Sequence, residues 1–207
     1  MNNIYRLIFF LAVFSFGCSP NLKDDNKLIQ KIDTLNMNIF SKSGDKIYSI
    51  TSPYSSFDSH KLEFKLKTTT INIFSGKEIK YIINADQSTL SDNNKLLKLT
   101  GNVKLKTLKQ DEDVLYADIF KWNVDDNNYL LEGNIRFENQ NIILNSSKAI
   151  LSSDNIIEFF HPVKYVIKDE NNVNKYEITS ENAYYDLNTE SVSFKSKDKR
   201  VKSIIYF

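Results

Sequence analysis

The sequence predicts an all-β chain built from about five tandem strand-turn-strand units. Three observations carry this reading. One spacing recurs five times, a turn signal sits halfway through each recurrence, and apolar and polar residues alternate on both sides of it. The spacing opens with an aliphatic residue, any residue, then Ala or Ser. Fourteen residues after the Ala or Ser comes a large apolar residue, and two further on a small or turn-type residue. The first two copies are Ile50, Ser52, Leu66, Thr68 and Ile83, Ala85, Leu99, Gly101. Leu115, Ala117, Leu131, Gly133 form the third, and Leu144, Ser146, Phe160, Pro162 the fourth. Ile178, Ser180, Phe194, Ser196 form the fifth.

Taken in chain order, residues 1–18 (MNNIYRLIFFLAVFSFGC) form an anchor. Arg6 supplies the positive start and Leu7 to Phe16 an apolar run, short for a membrane span of roughly 20 residues. Gly17 before the sole cysteine, Cys18, resembles a bacterial lipobox, which makes Cys18 the candidate lipidation site. An uncleaved short anchor and an ordinary signal peptide are the alternatives. Residues 19–35 read as a linker, with 22–35 read as a short helix, and residues 36–207 as the β domain.

The unit turns fall at Ser59-His60, Asp92 to Asn94, Asp125 to Asn128, Asp154-Asn155 and Asn188-Thr189. Asn and Asp tolerate left-handed backbone and bond their own main chain, so they break strands into hairpins. Leu97, Leu99, Val103 and Leu105 alternate with polar neighbours, as do Tyr129, Leu131, Ile135 and Phe137. That is the pattern of strands with one apolar and one wet face. Gly101, Gly133 and Pro162 interrupt the apolar side at one register, and a Gly or Pro there marks a bend or bulge. The hairpins are expected to pair as an antiparallel meander. Two stacked sheets, a closed barrel and an open fold-over all satisfy this pattern, and the last leaves terminal edges unpaired.

Composition excludes several classes. With 27 basic and 26 acidic residues, the formal charge of +1 gives no electrostatic case for nucleic acid. The only histidines, His60 and His161, lie far apart and lack ligand-spaced neighbours, so no metal or cofactor is expected. Gly76-Lys77 lacks a phosphate-cradling loop, and no nucleophile elbow occurs. Asp111 to Asp113 and Asp125-Asp126 read as solvated turns rather than acid/base pairs. No enzyme is expected.

The opening stretch Ser43 to Ser52 (SGDKIYSITS), Ile83 to Asp86 (INAD), Leu97 to Lys104 (LKLTGNVK), Leu115 to Asp118 (LYAD) with Trp122 beyond, and Leu130 to Arg136 (LLEGNIR) together resemble the LptC family. The likeness spans residues 36–196. It implies an antiparallel two-sheet β-jellyroll of the OstA/LptC type. It also implies a periplasmic component of lipopolysaccharide export, anchored at the inner membrane. The implied partners are lipopolysaccharide, the inner-membrane ABC transporter LptBFG and an LptA-like jellyroll joined by strand addition. The implied acyl-chain groove is lined by Ile83, Leu97, Leu99, Val103, Leu115, Trp122, Leu131, Ile135, Phe137, Leu144, Phe160, Ile178 and Phe194. The basic tail from Lys195 to Lys202 has no clear family counterpart. The competing reading is a membrane-tethered β-repeat scaffold or adhesion protein with a filled core.

Overall fold

A computed structural model describes residues 29–108, 113–126, 128–197 and 200–206. The anchor, Cys18 and most of the expected linker lie outside them. The elements are β1 (Ile29–Phe40), β2 (Lys46–Asp58), β3 (Glu63–Ser75), β4 (Glu78–Ser91), β5 (Leu96–Thr107) and β6 (Val114–Asn123). They continue with β7 (Tyr129–Asn139), β8 (Ile142–Leu151), β9 (Ile156–Lys168), β10 (Asn174–Asp186), β11 (Ser191–Lys195) and β12 (Lys202–Ile205). All pairings are antiparallel, and β1 to β11 follow one another in chain order across a single sheet. β12 pairs with β10, as β11 does, along a different stretch.

The five predicted units are the hairpins β2–β3, β4–β5, β6–β7, β8–β9 and β10–β11, with their turns where the Asn and Asp signals fall. Asp92, Asn93 and Asn94 are left-handed at φ of 49°, 52° and 68°. In the first and last turns, Asp58 Oδ1 accepts from the backbone N–H of His60 and Lys61, and Asp186 Oδ1 from Asn188 and Thr189.

Two expectations fail near the ends of the pattern. The helix expected over 22–35 is overturned from Ile29 onward. Those residues are the start of β1, paired with β2 from Ile29 opposite Asp58. Leu35, Met37 and Ile39 alternate inward and pack on the core, which secures β1 as a strand rather than a helix.

The second correction concerns the fourth unit. In the other hairpins the large apolar residue faces the position three after the repeat's Ala or Ser. Leu66 lies opposite Ser55, Leu99 opposite Ser88, Leu131 opposite Phe120 and Phe194 opposite Ala183. In β8–β9 the residue opposite Ala149 is Phe159, not Phe160. Five residues separate the pair Leu151 and Ile157, whereas six separate Leu90 from Leu97 and Trp122 from Tyr129. A one-residue change exchanges the two faces of a strand. Phe159 is therefore buried, and Phe160 faces outward under the Lys148 ammonium, 5.3 Å from its ring centre. The bend position correspondingly falls at His161 rather than Pro162, which is exposed.

Register shifts align across the sheet. They occur at Asn84/Gln87, Thr100/Val103, Tyr116/Ile119, Glu132/Ile135, Asn145/Lys148 and Ser180/Asn182. This line of bulges divides the strands and folds the sheet over, because a bulge adds a residue to one strand and bends it. The two expected sheets are thus two layers of one sheet. One layer holds the starts of β2, β4, β6, β8 and β10. The other holds their ends and carries the five unit turns along its free margin. Contacts between the layers join strands that are not paired with one another. Tyr48 meets Trp122 at 5.5 Å between ring centres, and Tyr81 meets Tyr129 at 5.8 Å. Phe137 meets Tyr185 at 4.5 Å, and Tyr165 meets Phe194 at 5.2 Å.

Gly101 and Gly133 make the bend in units two and three. Their φ values are 76° and 75°, where a side chain is strained. A Cβ on Gly101 would lie 2.8 Å from Asp86 Oδ2, and one on Gly133 2.5 Å from Asp118 Oδ2. The following Asn closes each bend, Asn102 Nδ2 donating to Asp86 Oδ2 at 2.7 Å and Asn134 Nδ2 to Asp118 Oδ2 at 2.8 Å. Where the repeat carries Ser in place of Ala, its hydroxyl donates to the carbonyl two residues on. Ser52 does so to Tyr54, Ser146 to Lys148 and Ser180 to Asn182. Both devices satisfy backbone or side-chain groups that the interrupted ladder leaves open.

Candidate functional site

The space between the layers is the first candidate. Of the predicted groove residues, Ile83, Val103, Leu115, Ile135, Phe137, Leu144 and Ile178 come from one layer, and Leu97, Leu99, Trp122 and Leu131 from the other. All are buried, Ile178 being the most exposed at 8%. Strand alternation aims each of them inward, and the fold-over brings the two sets face to face. Phe194 is half-buried at the C-terminal end of this space, packed on the core beside Tyr165. Phe160 is outside it, and Phe159 takes its place. The interior is filled. A gap lined by Leu105, Leu115, Phe137, Leu151, Ile157 and Leu187 has no room for a water molecule.

The layers are joined differently on their two sides. Along the bend strands β1 to β10 run from one layer into the other, while β11 and β12 each lie in one layer. Among the described residues no strand pairing joins the opposite margins. Side chains close that seam. The Tyr48 hydroxyl donates to the Asn94 carbonyl in the β4–β5 turn at 2.8 Å. The Tyr81 hydroxyl donates to Asn155 Oδ1 in the β8–β9 turn at 3.1 Å, and within the turn-bearing layer Asn155 Nδ2 donates to Asn188 Oδ1 at 2.9 Å, tying two turns together. Trp122 Nε1 donates to the Asp126 carbonyl at 3.3 Å, beside the same margin. Burial raises the Tyr48 hydroxyl well above the usual phenol range. Burial does the same for Tyr81, with smaller contributions from Tyr129 and Asp113. Tyr129 is pushed up to about 12 by burial. The Tyr48 and Tyr81 hydroxyls are therefore neutral donors across the physiological range.

The sequence pattern marked Asn155 and Asn188 as turn residues but gave no sign of these bonds or of the roles of Tyr48 and Tyr81, because each bond joins different units of the repeat. The Asp-Gly-Asn bends did leave a signal: Ala-Asp in one strand recurs with Gly-Asn in the next at 85–86 with 101–102 and 117–118 with 133–134. Asp113 is a further correction. It is 2% exposed rather than solvated, and Asn139 Nδ2 donates to its Oδ1 at 2.6 Å. Asp111 and Glu112 lie outside the described residues. His60 sits in the β2–β3 turn. No cluster of three or more metal-ligating side chains occurs among the described residues.

The sheet edges are the second candidate. β1 presents one side of a 12-residue strand unpaired among the described residues. At the far end the last strand is split. Lys195 of β11 lies opposite Asn182, and Lys202 of β12 opposite Thr179, so seven chain steps match three on β10. All four residues of β12 are exposed. No helix of the described residues is long and apolar enough to cross a membrane.

The family model described as "Lipopolysaccharide-assembly, LptC-related" matches residues 7–128, more than half of the chain. No curated protein matches the sequence. Among solved structures, the chain is similar to LptH, the LptA-homologous periplasmic component of the lipopolysaccharide transport device from Pseudomonas aeruginosa. The similarity has 10% identity, covers 77% of this chain and 94% of that one, and has a TM-score of 0.42.

Proposed function

The chain belongs to the LptC-related family of lipopolysaccharide-assembly proteins, and from that premise we propose that it is a passive periplasmic carrier in lipopolysaccharide export. It accepts lipopolysaccharide from the inner-membrane transporter LptBFG, holds the acyl chains between its two layers, and passes them to an LptA-like jellyroll. The N-terminal edge, β1, faces the transporter and the C-terminal edge faces the bridge, each joined by strand addition. The transporter's ATP drives the movement, and this chain catalyses no step. Lipid attached at Cys18 tethers it to the periplasmic face of the inner membrane, with 19–28 as the spacer.

One observation carries this reading. Strands β1 to β10 run through the bend into both layers, whereas at the seam no strand pairing joins the layers among the described residues and the Tyr48 and Tyr81 side chains close it. Acyl chains can enter by parting the seam without breaking the sheet. Each methylene moved from water into this apolar interior gains about 0.8 kcal/mol, which offsets the core contacts given up.

Photo-crosslinkers at Leu99, Leu131 and Phe159, with the exposed Lys164 of β9 as the surface control, test the proposal in cells. Lipopolysaccharide captured at the three interior positions and not at Lys164 is the expected result. Equal capture at all four, or none, overturns it. The filled interior favours a second reading, a membrane-tethered β-repeat scaffold with no lipid ligand, and the same crosslinks separate the two. The tether is tested by Cys18→Ala. The proposal expects loss from the membrane fraction, and an unchanged fraction with unchanged N-terminal mass rules the lipid anchor out.

A further inference from the structure

The outer face of the turn-bearing layer, opposite the core, carries an open groove of about 870 Å³ across β1 to β5. Strand register places Asp33, Tyr54, Lys67 and Gln87 in one row over the first four strands. Lys31 and Lys65 stand in the adjacent row, with Ser56 between them. The Tyr54 ring is 65% exposed, an uncommon position for so large an aromatic surface. Lys31 and Lys67 form no ion pair among the described residues. Lys65 reaches only Glu63 of its own strand, at 3.8 Å with the ammonium largely in solvent.

The same rows continue over β6 to β10, where Lys121 pairs with Glu132 at 2.6 Å and Lys148 lies over the Phe160 ring. At the β1 end the groove is lined by Lys31, Lys65 and Lys67 against the single carboxylate of Asp33, which leaves a net positive surface. An aromatic platform, a carboxylate and an amide for ring hydroxyls, and ammonium groups for anionic substituents make up the chemistry of an anionic sugar site. Phosphate or carboxylate groups gain most from the lysines, and the tyrosine ring offers its face to sugar C–H groups. β1 is also where this chemistry meets the core. Its Leu35, Met37 and Ile39 face inward, while Lys31 and Asp33 line the groove outside.

We propose that this groove binds the phosphorylated saccharide of lipopolysaccharide, so that the sugar is held on the outer face beside β1 while the acyl chains lie between the layers. This rests on the carrier reading above. The test uses the full chain and a deacylated, phosphorylated lipopolysaccharide oligosaccharide. That probe has no acyl chains, so the interior contributes nothing. Calorimetric titration should show salt-sensitive binding that falls at least tenfold in Tyr54→Ala and in Lys31→Gln/Lys67→Gln. Tyr54→Phe and Lys31→Arg/Lys67→Arg should retain it, and Lys195→Gln/Lys202→Gln at the far edge should leave it unchanged. All these positions are exposed, and circular dichroism checks that each variant folds.

Binding that survives Tyr54→Ala and the double lysine variant overturns the site. Polyphosphate binding as tightly as the oligosaccharide, and ignoring Tyr54→Ala, overturns it too, leaving a generic anionic-polymer surface. No binding with the interior crosslinks intact refutes the groove alone. Tyr54-dependent binding with the crosslinks absent refutes acyl-chain carriage while the groove stands.

Discussion

At the scale of single residues, the bends are the most constrained positions. Gly101 combines a left-handed backbone with a carboxylate where a Cβ would go. Gly101→Ala is expected to destabilise the fold by roughly 1–3 kcal/mol, and Gly133→Ala similarly, read by urea denaturation. Asp86→Ala should recover part of the Gly101→Ala loss, because the closest clash is with its carboxylate, and a double-mutant cycle measures that coupling. The corrected register of the fourth unit gives a second prediction. Phe159→Ala removes a fully buried ring and should cost about 3–5 kcal/mol. Phe160→Ala strips an outward ring and should cost far less. Equal losses would restore the sixteen-residue spacing for this unit. The apolar positions of four units were legible in the sequence. Here they were not, because Phe159 and Phe160 are adjacent and equally apolar, and the shortened turn leaves no mark in an aliphatic pattern.

At the scale of elements, hairpins with an Asn or Asp turn were readable because the local chemistry specifies them. β1 was less so. Its inward alternation is confined to Leu35, Met37 and Ile39, and Thr34 interrupts the strand in a left-handed conformation at φ of 59°. The first half then lacks a clear period, and its identity as a strand comes from pairing with β2. The seam was not legible at all, since Tyr48 and Asn94 are 46 residues apart. β12 lies at the other extreme of stability. It is four residues long, wholly exposed and paired on one side. Its amides should exchange with solvent orders of magnitude faster than those of the central strands β5 to β7, by hydrogen-exchange mass spectrometry. Protection equal to that of β6 would show that this edge is as firmly held as the core.

For the molecule as a whole, the seam and the bend have opposite chemistry. Tyr48→Phe and Tyr81→Phe delete a hydroxyl without opening a cavity, and each should cost about 1 kcal/mol. Trp122, the sole tryptophan, packs against Tyr48 and beside that margin. Its fluorescence should become more accessible to acrylamide in the double variant. Unchanged quenching would mean that the hydroxyls do not hold the seam. The buried phenols also set an alkaline limit. Their pKa values are raised in the folded state, so the protonated forms favour folding. That contribution is complete below the ordinary phenol pKa of about 10 and declines as pH rises from there toward the folded values. Thermal stability should therefore fall steeply above about pH 10, and less steeply once Tyr48 and Tyr81 are Phe.

The continuous bend has a mechanical consequence. Because strands β1 to β10 run through both layers, the layers are not two bodies joined by a hinge at one end. They are leaves bound along their whole length. Parting them at one hairpin strains the neighbouring hairpins through their shared ladders but leaves their seam contacts in place. The Tyr48–Asn94 and Tyr81–Asn155 links can then yield in turn. In the carrier role proposed above, a gap that opens ahead of a cargo and closes behind it would never expose the entire interior, and the cost of transit would be set by one local opening rather than by the length of the path.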